Sequence, residues 1–246
     1  MCDDLSISVI MPVRNGERFI VDALRSIKEQ SVQVSQIFVI NDGSQDRTCQ
    51  LVSDVAEQDK RVRLLDGPCK GPGPARNVGL RQATGNVIAF LDCDDLWPAG
   101  KLETQLGRLR SQPEVRMVSG FVKYFDKQID NGLAPANDAR TEELFHVHLG
   151  ASIYRSDIFE EIGLFDEDFL YSEDVDLMLR VRESEIPYAI MNEITLYYRR
   201  HDNSMTSHLT PEEKRDFNRA LMNSLRRRKA AGVTIPLEPF SKRVGY

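Results

Sequence analysis

The sequence predicts an α/β fold, with a mostly parallel central sheet flanked by helices and a helical extension at the C-terminus. Short apolar runs alternate with amphipathic helical patterns through the first half of the chain, as expected for successive βαβ units. The composition, with 41% hydrophobic and 28% charged residues, is that of a globular protein. An acidic cluster follows the most apolar run, at the position where ligands bind in open α/β sheets. Together these observations favour a single domain built around a ligand site.

The first strands are short apolar runs. They cover Ile7 to Met11, Ile37 to Ile40 and Val62 to Leu65. Pro12 is expected to end the first strand, because proline donates no hydrogen bond to a sheet. Asn15 is expected to cap the helix that follows.

Two further helices flank the third strand. Ser44 and Asp46 can start the second helix, since their side chains accept hydrogen bonds from a first turn. The third helix, from Ala75 to Ala83, is entered through Pro74, a residue tolerated there. The run from Val87 to Leu91 is entirely apolar, so we expect a strand buried on both faces.

The second half is predicted to contain further helices and strands. In chain order these are a helix marked by Leu102, Leu106 and Leu109, a strand at Met117 to Phe125, a strand at Ala151 to Tyr154, a helix at Ile158 to Ile162, a helix opening near Glu173, strands at Tyr188 to Met191 and Ile194 to Tyr198, and a helix at Pro211 to Lys229. The polar stretch from Asp130 to Arg140 is the most natural boundary within a domain of residues 1–205, between halves 1–125 and 126–205. Residues 206–246 form a basic helix and tail.

The charge is unevenly distributed. A net charge of −6 argues against nucleic-acid binding, yet Lys214 to Tyr246 holds nine Lys or Arg against two Asp or Glu. This basic region is either a solvated helix face or a contact for anionic lipid. The four cysteines form no Cys-x-x-Cys pair, and the N-terminus carries acids where a signal peptide carries cations. We therefore expect a cytoplasmic protein, with the inner face of the membrane as an alternative location.

The acidic cluster consists of Asp92, Asp94 and Asp95, which follow the buried fourth strand. Crowded carboxylates repel one another, and a divalent cation relieves that repulsion. Mg²⁺ and Mn²⁺ both suit oxygen ligands, together with substrate phosphates. The cluster therefore predicts a metal–diphosphate site. The competing interpretation is that Asp94 and Asp95 form a turn or cap the next helix.

Other polar residues also follow predicted parallel strands and should meet the acidic cluster at one sheet edge. Asp42 could accept a hydrogen bond from the N3–H of uracil, or Asn41-Asp42-Gly43 could be a simple turn. Arg76, after a Gly- and Pro-rich loop, could reach a phosphate. The loop lacks the Lys-Ser or Lys-Thr of a P-loop, and the first turn lacks a dinucleotide fingerprint.

Four stretches resemble, in order and spacing, the signatures of the inverting nucleotide-sugar glycosyltransferases of family 2. They are SVIMPVRNGERFI, VINDGSQDRT, GPGPARNVGLRQATGNVIAFLDCDD and GLFDEDFLYSEDVDLMLRV, and the resemblance extends from about Ser6 to about His201. It implies a Rossmann-like domain of the GT-A type, a UDP-sugar as donor and Mn²⁺ or Mg²⁺ as cofactor.

The resemblance also implies residue roles. The nucleotide base would be bordered by Pro12, Val13, Arg14 and Asn15, and Asp42 would recognise it as uracil. Asp92 would bind the ribose or sugar, with Cys93 beside it, and Asp94 would bind the metal. His201 would help to hold the metal or diphosphate, and Asp174 would be the catalytic base. Arg14 departs from the family, which commonly has an aromatic residue there. Guanidinium packing on the base would then replace ring stacking.

Several of these roles have rivals. Asp174 could merely cap its helix, with Glu173 or Asp176 as nearby substitutes for the base, and His201 could be an ordinary hydrogen-bonded residue. Trp97 is expected in the core, although stacking on an acceptor sugar is the alternative. Phe165 and Phe169 are expected to be packing residues.

The predicted reaction is transfer of a hexose or N-acetylhexosamine from a UDP-sugar to a hydroxyl. A metal offsets the charge that builds on the leaving diphosphate, while a carboxylate on the opposite face of the sugar takes the proton of the acceptor. A single displacement from that face inverts the configuration. The acceptor is a saccharide (as in polysaccharide biosynthesis), a lipid-linked sugar or a protein. The alternatives are a nucleotidyltransferase that makes a nucleotide sugar, and an inactive sugar-nucleotide-binding module.

Overall fold

A computed structural model describes residues 5–126, 133–135, 141–144, 148–202 and 210–233. Its strands are β1 (Ile7–Val13), β2 (Gln36–Asn41), β3 (Val62–Asp66), β4 (Val87–Phe90), β5 (Met117–Phe125), β6 (Thr141–Leu144), β7 (Ile153–Arg155) and β8 (Tyr188–Arg199). Its helices are α1 (Ile20–Lys28), α2 (Thr48–Gln58), α3 (Pro72–Gln82), α4 (Lys101–Ser111), α5 (Ile158–Ile162), α6 (Glu173–Glu183) and α7 (Pro211–Ala230), with a 3₁₀ turn at Leu149–Ala151. Most of the predicted loop Asp130 to Arg140, and the tail beyond Val233, lie outside the described residues.

The described strands form one mixed sheet in the order β3-β2-β1-β4-β7-β5-β6. Strand β8 also pairs with β5 but lies outside this order. Strands β1 to β4 pair in parallel, and so do β5 and β8. Strand β7 is antiparallel to both β4 and β5, and β6 is antiparallel to β5. The prediction of a mostly parallel sheet flanked by helices, with a C-terminal helix, is confirmed. The sequence analysis did not find β6.

The first strand is longer than predicted, because Pro12 does not end it. Val13 O accepts the amide of Asp42 from the β2 side, whereas Ile10 O accepts the amide of Leu91 from the β4 side. Alternation along the strand therefore points the nitrogen of Pro12 toward β4, and the pairing of β1 with β4 ends at Ile10 and Phe90. Pro12 has no N–H to continue that ladder, but the pairing of β1 with β2 continues to Val13.

Two other local predictions were wrong. Asn15 does not cap α1, which begins at Ile20, after Phe19. Helix α2 begins at Thr48, whose amide donates to Asp46 Oδ1 at 3.0 Å as predicted, whereas Ser44 Oγ accepts the amide of Asn15. The two strands predicted between Tyr188 and Tyr198 are one strand, because the exposed polar pair between them lies in a bulge opposite Gly120.

The helices cover both faces of the sheet, and each face has its own apolar cluster. Helices α1, α2 and α4 pack on one face, where Trp97 is buried and donates its indole N–H to the carbonyl of Gly150 at 3.0 Å. Helices α3, α5 and α6 pack on the other face, where Phe165 is buried. Trp97 and Phe165 are therefore core residues, as is Phe169 between α6 and α7.

The C-terminal helix packs on α6. Its inner side buries Asp216, Ala220 and Ser224. Asp216 accepts the amides of Leu170 and Tyr171 in the segment before α6. Within the described residues, no helix is both long and apolar enough to span a membrane.

Gly79 and Gly107 provide a matched test of this packing. A Cβ at Gly79 in α3 would lie 2.5 Å from Cγ2 of the fully buried Ile10, whereas a Cβ at Gly107 in α4 would meet nothing within 4 Å. We predict that Gly79→Ala lowers the free energy of unfolding by about 1–3 kcal/mol through overpacking. Gly107→Ala should instead raise it by about 0.5–1 kcal/mol. Urea denaturation measures both, and equal effects would contradict the close approach of α3 to β1.

Candidate active site

The loops after β1, β2 and β4 meet at the carboxyl edge of the parallel strands. Hydrogen bonds join the first two loops: the amide of Asn15 donates to Ser44 Oγ at 3.0 Å, and Asn15 Oδ1 accepts the amide of Gln45 at 2.8 Å. Asn15 has a left-handed backbone, with φ of 54°. Of the residues predicted to border the base, Pro12 and Val13 are buried, and Arg14 and Asn15 are exposed at this edge.

Asp42 lies at the same edge and anchors the Gly- and Pro-rich loop before α3. Its two carboxylate oxygens accept the amide of Gly71 at 2.7 Å and that of Lys70 at 3.3 Å. Gly71 has a φ of 100°, a conformation that favours glycine. Each carboxylate oxygen can accept a second hydrogen bond. Asp42 therefore has capacity left for a donor on a ligand.

Arg76 is buried between the acidic loop and α6. Its guanidinium, with only 5% of the side chain exposed, bonds Asp92 at 2.7 Å and Glu173 at 2.5 Å. It also lies over the ring of Phe165. The predicted contact of Arg76 with a phosphate stays a prediction. Arg76 connects the acidic loop after β4 to the first turn of α6.

The ion pairs of Arg76 affect its two partners differently. Burial alone would raise the pKa of Asp92, but the charge of Arg76 holds it below the ordinary value. Burial raises the pKa of Glu173 to about 7, and the neighbouring Asp174 adds to this while Arg76 opposes it. The carboxyl group of Glu173 therefore keeps its proton to a higher pH than a free glutamate does.

Asp94 and His201 form the candidate metal pair. His201 Nε2 lies 2.9 Å from Asp94 Oδ2, and the side chains are 13% and 28% exposed respectively. The ring of His201 lies against the ring of Phe19, tilted by 38° with centroids 4.7 Å apart. Two ligand atoms at this separation can bind a common cation, and carboxylate with imidazole suits Mn²⁺. The donor set thus fits a divalent ion.

Asp95 and Arg199 hold the Asp94–His201 pair in position. The buried carboxylate of Asp95 accepts the amide of Arg199 at 2.9 Å, and Arg199 Nε donates to the carbonyl of Asp94 at 2.9 Å. The Arg199 guanidinium lies over the rings of Phe19 and Phe125. The end of β8, two residues before His201, is therefore tied to the acidic loop.

His148 is a site residue that the sequence analysis missed. Ligand atoms of Asp92, Asp95 and His148 lie within 4.8 Å of one another. Burial lowers the pKa of His148, against the opposing charges of Asp92 and Asp174. This histidine precedes β7, whose antiparallel pairing brings its start to the end of β4. The sequence could have indicated His148 as a site residue only if β7 had been predicted to lie beside β4.

Asp174 lies in the first turn of α6. Its Oδ1 accepts the amide of Val175 at 2.8 Å, while the residue at the cap position is Ser172. Of the substitutes for the base, Asp176 is buried and paired with arginines of α6 and α7, and Glu173 is held by Arg76. Asp174 has no such arginine partner among the described ion pairs. The charges of Asp94 and Asp174 both oppose the lowering of the His148 pKa by burial.

Comparison with known proteins identifies relatives. Residues 8–163 match the family model described as Glycosyl transferase family 2. The uncharacterized glycosyltransferase EpsJ of Bacillus subtilis is 29% identical over 216 residues, which are 81% of this chain and 62% of that protein. The Escherichia coli protein named UDP-Glc:alpha-D-GlcNAc-diphosphoundecaprenol beta-1,3-glucosyltransferase WfgD is 39% identical over 44% of this chain and 42% of its own length. The chain thus spans less than two thirds of either relative.

Solved structures share the fold. Residues 1–349 of Staphylococcus aureus TarS superpose with a TM-score of 0.72 at 18% identity, over 94% of this chain and 67% of that one. The same fragment in complex with UDP-GlcNAc gives 0.70 at 20% identity, over 94% and 68%. The mannosyltransferase PcManGT of Pyrobaculum calidifontis, in complex with GDP-Man and Mn²⁺, gives 0.64 at 18% identity, over 95% and 76%. At such identities the likeness shows the fold alone.

The raised pKa of Glu173 leads to a stability prediction. Since the folded chain holds this proton up to about pH 7, and a free Glu releases it near 4.5, folding binds a proton between these values. Stability from this group is full below pH 4.5 and is lost as the pH rises to 7. The unfolding free energy of the wild type should therefore fall by about 1–3 kcal/mol relative to Glu173→Gln across this window. Chemical denaturation at several pH values measures it, and a constant difference would contradict the assignment.

Proposed function

This chain belongs to glycosyl transferase family 2, and on that premise we propose that it moves a hexose or N-acetylhexosamine from a UDP-sugar to an acceptor hydroxyl with inversion, with the help of a divalent metal. The observation that carries the proposal is the double ion pair of Arg76. It holds the acidic loop beside the first turn of α6, so a donor bound at Asp92 and Asp94 would lie next to Asp174. A donor site and a proton acceptor are the two parts that the reaction requires.

The nucleotide would bind at the edge formed by the loops after β1 and β2. Asp42 keeps an acceptor position for the N3–H of uracil, and that N–H is the group that distinguishes uracil from cytosine. Arg14, exposed at the same edge, can pack its guanidinium on the face of the base. The name of the E. coli relative, which specifies UDP-Glc, supports a uridine nucleotide.

The diphosphate would bind next to Asp94 and His201. These two residues would hold the metal ion, which supplies positive charge to the leaving diphosphate. Asp95 is a weaker candidate ligand, because it is buried and bonded to the amide of Arg199. The Mn²⁺ complex of the archaeal mannosyltransferase supports the choice of ion.

Asp174 would take the proton of the acceptor hydroxyl. Its carboxylate accepts the amide of Val175 and has other lone pairs to which the hydroxyl of the acceptor substrate can donate. A hydroxyl placed between Asp174 and the sugar attacks the anomeric carbon from the face opposite the diphosphate. The C–O bond to the diphosphate breaks as the new C–O bond forms, so the configuration inverts. Arg76 and Asp92 keep their charges paired and fix the geometry of both sides.

The two other reaction classes have less support. Nucleotidyltransferases usually carry a Gly-rich basic loop after the first strand, and here that position reads Pro12-Val13-Arg14-Asn15. An inactive binding module would not need Asp94 and Asp174 beside one site. The deciding experiment incubates the chain with a panel of nucleotide sugars, Mn²⁺ and saccharide, lipid-linked or protein acceptors. UDP release with an inverted product supports transfer; pyrophosphate formation from a sugar phosphate and a nucleoside triphosphate, or binding without turnover, refutes it.

The two carboxylates should separate binding from chemistry. Asp94→Asn is predicted to abolish metal-dependent donor binding, and Asp174→Asn to keep donor affinity within about threefold while transfer falls by at least about 10²-fold. Calorimetric titration with UDP-sugar and an assay of UDP release measure the two effects. Asp54→Asn, at an exposed position of α2, is the matched control and should change neither. Weakened donor binding in Asp174→Asn would argue against its role as the base.

The two histidines near the acidic loop should differ in their effect on the metal. His201→Ala is predicted to raise the Mn²⁺ concentration for half-maximal donor binding by at least about tenfold, because a ligand is lost. His148→Ala should change that Mn²⁺ concentration by no more than about threefold, since His148 is not assigned to the ion. Titration of donor binding with Mn²⁺ distinguishes them. The reverse pattern would place the ion at Asp92, Asp95 and His148 instead.

A further inference from the structure

The outward side of α7 carries an apolar ridge with no partner among the described residues. The ridge consists of Phe217, Leu221, Met222 and Leu225, which are 45%, 37%, 49% and 53% exposed. Phe217, Leu221 and Leu225 follow one another at intervals of four, so they lie along one side of the helix. Single exposed apolar residues are common, but an aligned set on one helix indicates a surface that is covered in use.

The opposite side of α7 already has a structural role. Asp216, Ala220 and Ser224 are buried against the rest of the chain. Arg227 bonds Glu183 and Asp176 of α6. The ridge is therefore not needed to hold the helix in place, and the helix keeps a fixed orientation with the ridge outward.

The charges around the ridge have one dominant sign. Lys214 and Arg215 lie at its N-terminal end, and Arg226 and Lys229 at its C-terminal end, all exposed. The three acids of α7 all precede Phe217: Glu212 and Glu213 lie in the first turn, and Asp216 is buried. The ridge thus combines exposed apolar side chains with neighbouring exposed cations, the two components of a helix that binds at a membrane interface.

We propose that α7 docks on an anionic lipid surface, with the ridge inserted among the acyl chains and the cations on the headgroups. Charge complementarity selects this occupant. A second copy of the chain would bring the same cations against each other in a symmetric contact, at a cost in repulsion. A neutral protein surface would supply no negative charge to Lys214, Arg226 and Lys229, or to Arg215, which has Asp216 at 3.8 Å. A lipid headgroup region supplies both negative charge and an apolar layer beneath it.

The orientation of α7 connects this surface to the active site. Helix α7 packs on α6, and α6 begins with Glu173 and Asp174. Leu170, which is 46% exposed, lies in the segment between Phe169 and α6 and donates its amide to Asp216 of α7. The N-terminal part of α7 therefore lies beside the segment that leads into the first turn of α6. The docking itself does not depend on the transfer reaction.

Vesicle sedimentation of the full chain, without donor or metal, tests the proposal. The wild type should sediment with vesicles of phosphatidylcholine and phosphatidylglycerol, and little with phosphatidylcholine alone. Leu221→Glu with Leu225→Glu should reduce the bound fraction by at least about tenfold, and so should Arg226→Glu with Lys229→Glu. Val21→Glu, an apolar-to-acid change at an exposed position of α1, is the matched control and should bind as the wild type does.

Three results would overturn the proposal. The first is a wild type that does not sediment with the anionic vesicles. The second is sedimentation that neither pair of α7 substitutions reduces. The third is a vesicle-free dimer that Leu221→Glu and Leu225→Glu convert to monomer, because the ridge would then be an interface between copies. UDP release in solution, measured on the same variants, reports on the transfer reaction separately.

Discussion

The buried guanidinium of Arg76 is the contact on which the site depends. It belongs to α3 and bonds Asp92 after β4 and Glu173 at the start of α6. A buried cation without partners would be strongly destabilising, whereas one with two carboxylates is compensated and held in a defined geometry. Gly73 allows this approach, since a Cβ there would lie 3.2 Å from Cγ of Glu173. The acidic loop, proposed to bind the donor, and the first turn of α6, which carries the proposed base, are thereby fixed to each other.

The second half of the sheet supplies the residues of the candidate site that the parallel half lacks. The loops after β1, β2 and β4 carry the residues proposed to bind the nucleotide and the diphosphate, and they lie at the carboxyl edge of the parallel strands. Strand β7 brings His148 to the end of β4, and β8 brings His201 to Asp94. The amide of Arg199 on Asp95 fixes the arrival of β8. The mixed sheet is thus what gathers residues more than a hundred positions apart.

The elements that the sequence analysis predicted well are those with a strong local signal. The entirely apolar run at Val87 and the helical spacing of the apolar residues are local properties, and both appear in the structure. What the sequence analysis did not predict depends on long-range contacts. Pro12 stays in β1 because the pairing with β2 continues to Val13, and Arg76 bonds Glu173, 97 positions away. His148 needed the antiparallel placement of β7, which no local pattern specifies. The roles of Asp42, Asp94 and Asp174 stay predictions, now with a geometry that brings them to one edge.

The measurement that tests this account most directly is a crystal structure of the chain with UDP and Mn²⁺. Anomalous scattering should place the ion between Asp94 Oδ2 and His201 Nε2, with the uracil against Asp42 and open space from the diphosphate to Asp174. An ion bound instead by Asp92, Asp95 and His148, or a diphosphate separated from Asp174 by packed protein, would contradict the account.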